Sequence, residues 1–315
     1  MRARTIAGVL ADVLADPGRL GEPVPAAVLH DARAHLAAVA DDVAVVGGWT
    51  EAEPLRLAKG PVTWLVRCPR RALAPASTGD PDDLALGLVV DAAAKLATLG
   101  TRRPATVDMA LGFLAAHGDT FVADHLDALR AAPPVGSAHD PAGRLLAEAA
   151  ARVERLVAGW PAIDPTWWPR VEDPVRVRLA GGAVTISGRL DVLLGGPPTG
   201  RPGVVVEVKA GRWYDGMRAD AHLYALLVGL RDGEAPAVVV TVAADGTTQV
   251  EPVRPAVVHH AAERVELALR TAARLAAGEV PEARPGSQCG HCPLRAGCQP
   301  GERWLADRAA QDDAA

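Results

Sequence analysis

Residues 204–209 read Val-Val-Val-Glu-Val-Lys, and this short stretch decides the fold. Four valines in six residues predict a buried strand, because β-branched side chains pack well in sheets. Glu207 and Lys209 lie two residues apart, so their side chains share one face of that strand. Charges in a buried strand are costly unless they are paired or used. We therefore expect a functional site here; the alternative is a surface Glu–Lys pair on an exposed hairpin.

A second strand is predicted directly upstream. Residues 184–194 read Val-Thr-Ile-Ser-Gly-Arg-Leu-Asp-Val-Leu-Leu, and residues 195–203 form a turn rich in Gly and Pro. If the two strands pair as a hairpin, the carboxylates of Asp191 and Glu207 converge. Two convergent carboxylates make a hard-oxygen site for Mg2+ or Mn2+. Lys209 beside them could position or help to deprotonate an attacking water, which outlines metal-assisted phosphodiester hydrolysis.

The rest of the chain favours an α/β core preceded by a helical region. Helix patterns cover residues 1–60, 82–100, 104–130, 141–158, 216–231 and 256–277, and further strands are predicted at residues 175–179 and 237–242. We divide the chain into an N-terminal helical region (1–66), a first-cysteine segment with helices (67–160), a core (161–278) and a C-terminal cysteine segment with its tail (279–315).

Composition narrows the functional class. The 315 residues carry a net charge of -5, so a contact with nucleic acid requires a local basic patch or a partner. Ala, Gly, Pro and Arg are abundant while Phe, Tyr and Lys are scarce, a bias typical of a GC-rich genome. Asp12 and Asp16 interrupt the first apolar stretch, and no run approaches the ~20 residues of a membrane span. We expect a cytoplasmic protein with no membrane association.

Four cysteines form a second candidate site. Cys289, Cys292 and Cys298 are spaced C-x2-C-x5-C, and Cys68 lies far upstream in Arg-Cys-Pro-Arg-Arg. In a reducing cytoplasm such cysteines favour metal binding over disulfides, and four thiolates suit either an iron–sulfur cluster or a zinc ion. Buried free cysteines are the alternative, and His291 is a surface residue or a ligand. A shared metal would clip the early segment to the C-terminus.

These motifs together resemble the PD-(D/E)xK nuclease superfamily. They are most similar to its iron–sulfur branch, which includes RecB-like and AddB-like nucleases and CRISPR-associated RecB-like exonucleases. Residues 68–70 (Cys-Pro-Arg) look like the first-cysteine motif of that branch, residues 188–191 (Gly-Arg-Leu-Asp) like its metal-binding aspartate motif, and residues 207–209 like its ExK motif. The resemblance implies a restriction-endonuclease-like mixed sheet flanked by helices, and a [4Fe–4S] cluster that clips the C-terminus through the four cysteines.

The resemblance also implies roles for the site residues. Mg2+ or Mn2+ would be held by Asp91, Asp191, Glu207 and the backbone carbonyl of Val208. Lys209 would assist the attacking water, and Tyr224 would face the substrate or hold Lys209.

Two positions depart from the family pattern. Asp91 stands where the family often has a metal-binding histidine, and Asp220 stands where it has the glutamine of a Gln-x3-Tyr helix motif. An aspartate can still bind the metal, whereas Asp220 would place an anion where DNA approaches.

The implied activity is a Mg2+- or Mn2+-dependent deoxyribonuclease, acting as an exonuclease on single strands or duplex ends. It would serve DNA repair and recombination, or phage defence and CRISPR, with a helicase or defence protein as partner. The candidates for contacts with DNA are Arg70, Arg71, Arg212 and Arg218 for phosphates, and Trp213 and Tyr214 for stacking on a base. The alternatives are an inactive nuclease fold that binds DNA or scaffolds a complex, and a zinc-stapled protein without a nucleic-acid role.

Overall fold

The structure is a computed structural model that describes residues 6–16, 22–74, 80–100, 105–131, 140–210, 215–245 and 247–313. In these ranges the helices are α1 (Ile6–Ala15), α2 (Ala26–Gly47), α3 (Lys59–Arg67), α4 (Pro69–Ala72), α5 (Pro81–Thr98), α6 (Val107–Ala116), α7 (Phe121–Ala131), α8 (Pro141–Ala158), α9 (Asp215–Asp232), α10 (Pro255–Ala276) and α11 (Gln299–Asp313). The strands are β1 (Leu55–Ala58), β2 (Arg170–Leu179), β3 (Val184–Gly196), β4 (Arg201–Lys209), β5 (Val238–Ala243) and β6 (Thr248–Pro252).

The strands form one mixed six-stranded sheet organised around β3. One edge of β3 pairs antiparallel with β2 through residues 184–193. The other edge pairs in parallel with β1 through residues 184–187, and then antiparallel with β4 through residues 192–196. β5 adds to β4 in parallel, and β6 adds to β5 antiparallel. The same edge of β3 thus pairs with two strands, β1 and β4, which run in opposite directions.

Helices cover both faces of the sheet. Val205 and Val239 face a core that includes residues of α2, α9 and α10. Val204 and Val206 face the opposite core, which includes residues of α1, α5 and the end of α8. Because β4 and β5 are buried on both faces, their paired residues 204–208 and 238–242 are mostly valine, as expected for a parallel pair inside a sheet.

A third core packs α5, α6, α7 and α8 against one another. It lies beside the sheet and is continuous with it through α5, because one side of α5 joins this core while Val90 and Ala94 join the sheet. Helix α5 begins cleanly, since the side chain of Asp80 accepts a hydrogen bond from the amide of Asp82 and Pro81 stands in the first turn.

The mixed sheet with flanking helices confirms the predicted α/β core, and α5, α8, α9 and α10 match their predicted ranges closely. The helix pattern assigned to residues 1–60 was wrong at its end, because Leu55–Ala58 is strand β1. The sequence analysis also did not foresee β6 and α11. Among the described residues, no helix has the length and apolar character needed to cross a membrane.

Candidate active site

The site lies at a gap in the pairing of β3. Residues 188–191 fall between the part of β3 that pairs with β1 and the part that pairs with β4. Both neighbouring strands run toward this gap, so their C-terminal ends converge on it. β1 delivers Lys59, which follows its last residue, and β4 delivers Glu207 and Lys209. Side chains from three segments meet here.

Asp191 occupies the gap. Its Oδ2 accepts a 2.7 Å hydrogen bond from the backbone amide of Val208, which ties β3 to β4. Burial raises the pKa of Asp191 to about 8, and the negative charges of Glu207 and Asp91 add to the rise. The predicted convergence of Asp191 and Glu207 on an antiparallel hairpin is therefore present in the structure.

Glu207 is completely buried and carries two ammonium groups on one oxygen. The Nζ atom of Lys59 lies 2.6 Å from its Oε1, and Lys209 donates to the same Oε1. Burial alone would raise the pKa of Glu207, but the charges of Lys209 and Lys59 outweigh it and lower that pKa below its ordinary value. The second oxygen, Oε2, is buried without a hydrogen-bond partner.

Lys59 is a site residue that the sequence analysis missed. It is the first residue of α3 and lies 148 positions before Glu207. Its Nζ also lies 5.1 Å from the centre of the Tyr224 ring. Burial lowers the pKa of Lys59, yet its attraction to Glu207 and their hydrogen bond raise that pKa above its ordinary value. The one sequence signal was its rarity in a chain where basic residues are almost always arginine.

Tyr224 of α9 forms the wall of the site. Its hydroxyl donates a 2.8 Å hydrogen bond to the carbonyl of Arg189, within the gap. The side chain is buried, and burial followed by the charges of Glu207 and Asp191 raises the pKa of its phenol. Gly188 is required beside the ring, because a Cβ there would lie 2.4 Å from the Cε1 atom of Tyr224. Tyr224 thus holds the backbone of β3, and Lys59 is the lysine that faces its ring.

A second ion-pair network borders the gap on the side of α5. Lys95, which is almost fully buried, contacts both Asp91 and Glu172, and Arg189 contacts Glu172. The β2–β3 register pairs Val171 with Val192 and Asp173 with Leu190, so Glu172 stands opposite Asp191. Glu172 has a φ of 55°, a strained conformation for a residue with a side chain. The sequence analysis did not foresee this network.

The acidic residues fit a divalent cation in their chemistry. Glu207 Oε2 and Asp91 Oδ1 are buried oxygens without hydrogen-bond partners, which is unfavourable unless a cation binds them. Across the described part of the chain, however, no three His, Cys, Asp or Glu side chains are grouped as a metal site. The carboxylates are instead neutralised by lysines: Lys59 and Lys209 at Glu207, and Lys95 at Asp91.

The four cysteines come together at one small cavity of about 20 Å3. Cys68, which directly follows α3, and the C-terminal trio all line it. Gly301 closes the cavity, since a Cβ there would lie 3.3 Å from Cys289 Sγ and 3.4 Å from Cys298 Sγ. The space admits roughly one atom of water size. The four thiols therefore line one cavity, although no three of the described Cys, His, Asp or Glu side chains are grouped as a metal site.

The structure places the residues that were predicted to contact DNA in different environments. Asp220 is buried and accepts a 3.0 Å hydrogen bond from Thr63, so the expectation of an anion facing DNA was wrong. Arg71 is buried over the Trp64 ring, and Arg218 contacts both carboxylate oxygens of Glu251. Arg70 lines the cysteine cavity. Three further candidates, Arg212, Trp213 and Tyr214, lie outside the described residues.

Comparison with known proteins identifies the family of this arrangement. The model of the PD-(D/E)XK nuclease superfamily matches residues 56–299, which include β1, the gap and the cysteine trio. The chain belongs to the PD-(D/E)XK nuclease superfamily. The match begins inside β1, so the strand that delivers Lys59 is part of the nuclease unit.

Solved structures resemble this PD-(D/E)XK protein only distantly. The structure of SSO0001 has 15% sequence identity and a TM-score of 0.33, and covers 77% of this chain and 85% of that one. A candidate exonuclease from Eubacterium rectale has 13% identity and a TM-score of 0.43, and covers 74% of this chain and 86% of that one. No protein with a curated description matches the chain.

Proposed function

We propose that this PD-(D/E)XK protein is a metal-dependent deoxyribonuclease whose active site is the gap in β3. The observation that carries the proposal is the meeting of Asp191, Glu207 and Lys209 in a buried strand pair, with one oxygen of Glu207 left without a partner. Such a buried constellation is costly to maintain unless it is used.

The chain's own groups have distinct roles in this proposal. Asp191, Glu207, Asp91 and the Val208 carbonyl would hold Mg2+ or Mn2+. The bound cation would lower the pKa of a water and stabilise charge on the phosphate. Lys209 fixes Glu207 through Oε1 and orients the attacking water. Tyr224 keeps the backbone of β3 in place through Arg189, so that Asp191 stays aligned with the amide of Val208.

The proposed substrate is DNA, as single strands or duplex ends, by resemblance to the iron–sulfur branch of the superfamily. The net charge of -5 does not attract nucleic acid over the whole surface. Binding therefore has to come from local positive charge or from the surface of a partner. A helicase or a defence protein that feeds DNA into the site is the proposed partner.

The four cysteines are proposed to hold one structural metal centre. Their C-x2-C-x5-C spacing and the shared cavity support a common centre. The resemblance favours [4Fe–4S], and four thiolates also suit a single zinc ion. In either case the centre joins Cys68, directly after α3, to the C-terminal segment.

The test is cleavage of end-labelled single-stranded and duplex DNA with Mn2+, by protein purified without oxygen. Glu207→Gln should slow cleavage by about a thousandfold, which corresponds to roughly 4 kcal/mol of transition-state stabilisation. Because the change also leaves Lys59 and Lys209 without their buried counter-ion, it should lower the melting temperature, and circular dichroism below the transition checks that the variant is folded. Cleavage that persists at wild-type rate in Glu207→Gln would refute the site. As a control, Glu279→Gln removes an exposed carboxylate and should leave cleavage unchanged.

Two observations favour a second function, DNA binding without cleavage. Lysines neutralise Glu207 and Asp91, and Asp91 replaces the histidine of the family pattern. A protein of this kind would bind DNA and scaffold a helicase or defence complex. It would bind labelled DNA in the same experiment but release no product at any Mn2+ concentration.

A further inference from the structure

The lysines of this chain are distributed in an unusual way. The sequence holds thirty arginines but only three lysines, which are Lys59, Lys95 and Lys209. All three contact a carboxylate of the candidate site: Lys59 and Lys209 contact Glu207, and Lys95 contacts Asp91 and Glu172. Elsewhere the chain uses arginine for its positive charges. The site is thus the one region where lysine is kept against a strong bias in composition.

The chemistry of the two residues explains this distribution. Arginine carries a wide planar fork, whereas lysine places a compact charge at the end of a flexible chain. Two ammonium groups can approach the single Oε1 atom of Glu207, and two guanidinium groups would crowd that space. A compact donor can also turn from one acceptor to another without a change of backbone. The lysines are therefore suited to a site whose charges rearrange.

Lys59 has more freedom than Lys95. The side chain of Lys95 is 5% exposed and lies between two carboxylates, so it is fixed. The side chain of Lys59 is 25% exposed and contacts one oxygen of Glu207, which Lys209 also contacts. A cation bound at Glu207 would repel both ammonium groups, and a phosphodiester brings a negative charge that would attract one of them. Lys59 can turn to it while Lys209 keeps Glu207 in place.

We propose that Lys59 is a second active-site lysine, which donates a hydrogen bond to a non-bridging oxygen of the scissile phosphate and stabilises the charge that develops there. The proposal rests on the proposed function and names a substrate contact within it. In hydrolysis the water oxygen bonds to phosphorus, and the phosphorus–oxygen bond to the sugar breaks with its electron pair on the leaving oxygen. The water loses one proton and the leaving oxygen gains one. Lys59 remains protonated throughout.

The test compares Lys59→Gln, which keeps a donor toward Glu207 but removes the charge, with Lys59→Arg, which keeps the charge. At saturating Mn2+, Lys59→Gln should cut DNA about a hundredfold more slowly in single turnover, the loss typical of one preorganised donor. Lys59→Arg should recover about tenfold of that loss. Binding of Mn2+ without DNA, measured by paramagnetic resonance, should be unchanged or tighter in Lys59→Gln because a nearby positive charge is removed.

Two results would overturn the proposal. In the first, Lys59→Gln binds Mn2+ more weakly and regains full cleavage when Mn2+ is raised, so that Lys59 only positions Glu207. In the second, Gln and Arg variants cleave equally. Arg56→Met, which removes an exposed positive charge three residues away, is the matched control and should cleave as the wild type does.

A measurement on the wild-type protein tests the same contact without requiring that any variant folds. Reductive methylation of the amines, followed by mass spectrometry, reports on each of the three lysines. Single-stranded DNA bound in Ca2+ should protect Lys59 several-fold while Lys95 stays unreactive with or without DNA. Equal labelling of Lys59 with and without bound DNA would refute the contact. If the wild type binds DNA but does not cleave, the proposed function fails while the labelling still decides the role of Lys59.

Discussion

The backbone amide of Val208 donates a 2.7 Å hydrogen bond to Oδ2 of Asp191. This bond joins β4 to β3 beyond their last regular pair next to the gap, Val192 with Val206. It places the aspartate of one motif against the backbone of the other, so the two motifs act as one unit. We therefore expect an acceptor at position 191 to be needed for structure, and the carboxylate charge to be needed for the proposed function.

The substitution Asp191→Asn distinguishes the expected structural role of the Asp191 side chain from its proposed functional role. The asparagine oxygen can still accept from the Val208 amide, and asparagine, like the protonated carboxyl, carries no charge beside Glu207 and Asp91. We expect a melting temperature equal to or above that of the wild type and a loss of Mn2+-dependent cleavage of about a thousandfold, or roughly 4 kcal/mol. Asp164→Asn, at an exposed turn, is the control and should keep full cleavage. Thermal unfolding and single-turnover cleavage measure the two effects.

Binding of Mn2+ should depend on pH through Asp191. Its pKa is raised to about 8, so the carboxyl is protonated at neutral pH and the ion has to displace a proton. Affinity should rise about tenfold per pH unit between roughly pH 6 and 8 and level off above that. Titration calorimetry in buffers of different ionisation enthalpy measures both the affinity and the proton released. Asp191→Asn should bind weakly with no such slope; a wild-type affinity that is flat from pH 6 to 8 would contradict the assignment.

The close approach of Gly188 to Tyr224 should make this glycine irreplaceable. In Gly188→Ala the new Cβ meets the Tyr224 ring at 2.4 Å, so the ring or β3 has to move. We expect a loss of about 1–3 kcal/mol in the free energy of unfolding and slower cleavage, since the site is displaced. Gly112→Ala in α6 meets no atom within 4 Å and should stabilise the helix by roughly 0.5–1 kcal/mol. Urea denaturation compares the two variants.

Glu251 should contribute stability that depends on pH. Burial would raise its pKa, but hydrogen bonds from Arg218 and His222 lower it to about 2. Because the folded pKa lies below the unfolded value, the stability is present above pH ~4.5 and is lost as pH falls toward 2. Glu251→Gln should cost about 1–2 kcal/mol at pH 7, a figure discounted for solvent screening, and much less at pH 3. Asp127→Asn, which breaks an exposed pair with Arg130, should change stability by under about 0.5 kcal/mol.

Removal of the proposed metal centre should loosen the C-terminal segment. Cys68→Ser removes one of the four thiols at the cavity. If the centre closes the loop between Cys68 and the C-terminal trio, its loss should lower the free energy of unfolding by up to roughly 5 kcal/mol. Ser287→Ala, an exposed change beside Cys289, is the control and should leave stability unaltered.

Absorbance and metal analysis of the anaerobic protein identify the centre. A broad band near 400 nm (roughly, from thiolate–iron charge transfer) with iron and sulfide indicates a cluster. One zinc per chain without colour indicates a zinc site. Protein that retains neither metal, with Cys68→Ser as stable as the wild type, would contradict a shared centre.

The sequence was sufficient for the central hairpin. The alternation of residues 184–194 and the valines of β4 are local signals, and they bring Asp191 to Glu207 through a short turn. Lys59 could not be found in this way. Strand β1, which immediately precedes Lys59, has four residues, and Lys59 lies 148 positions from Glu207 in the sequence. No local sequence pattern therefore indicates the contact between them.

Other features depend on packing that a linear pattern does not contain. The position of Asp220 in a helix motif predicted that its side chain faces DNA. In the structure Asp220 instead accepts a hydrogen bond from Thr63 of α3. Glu172 enters the site through the pairing of β2 with β3, a contact between distant segments that no local pattern indicates.

Helix α3 has a consequence for the biosynthesis of the protein. It begins with Lys59 at the gap and is followed by Cys68 at the cavity, whose other cysteines are residues 289–298. Chains leave the ribosome N-terminus first, at about 5–20 residues per second. The helix that presents Lys59 is therefore held at its far end only after residues 289–298 have been translated. A nascent chain that already contains Asp191 and Glu207 lacks this support, so the candidate site is completed after its two carboxylates have been made.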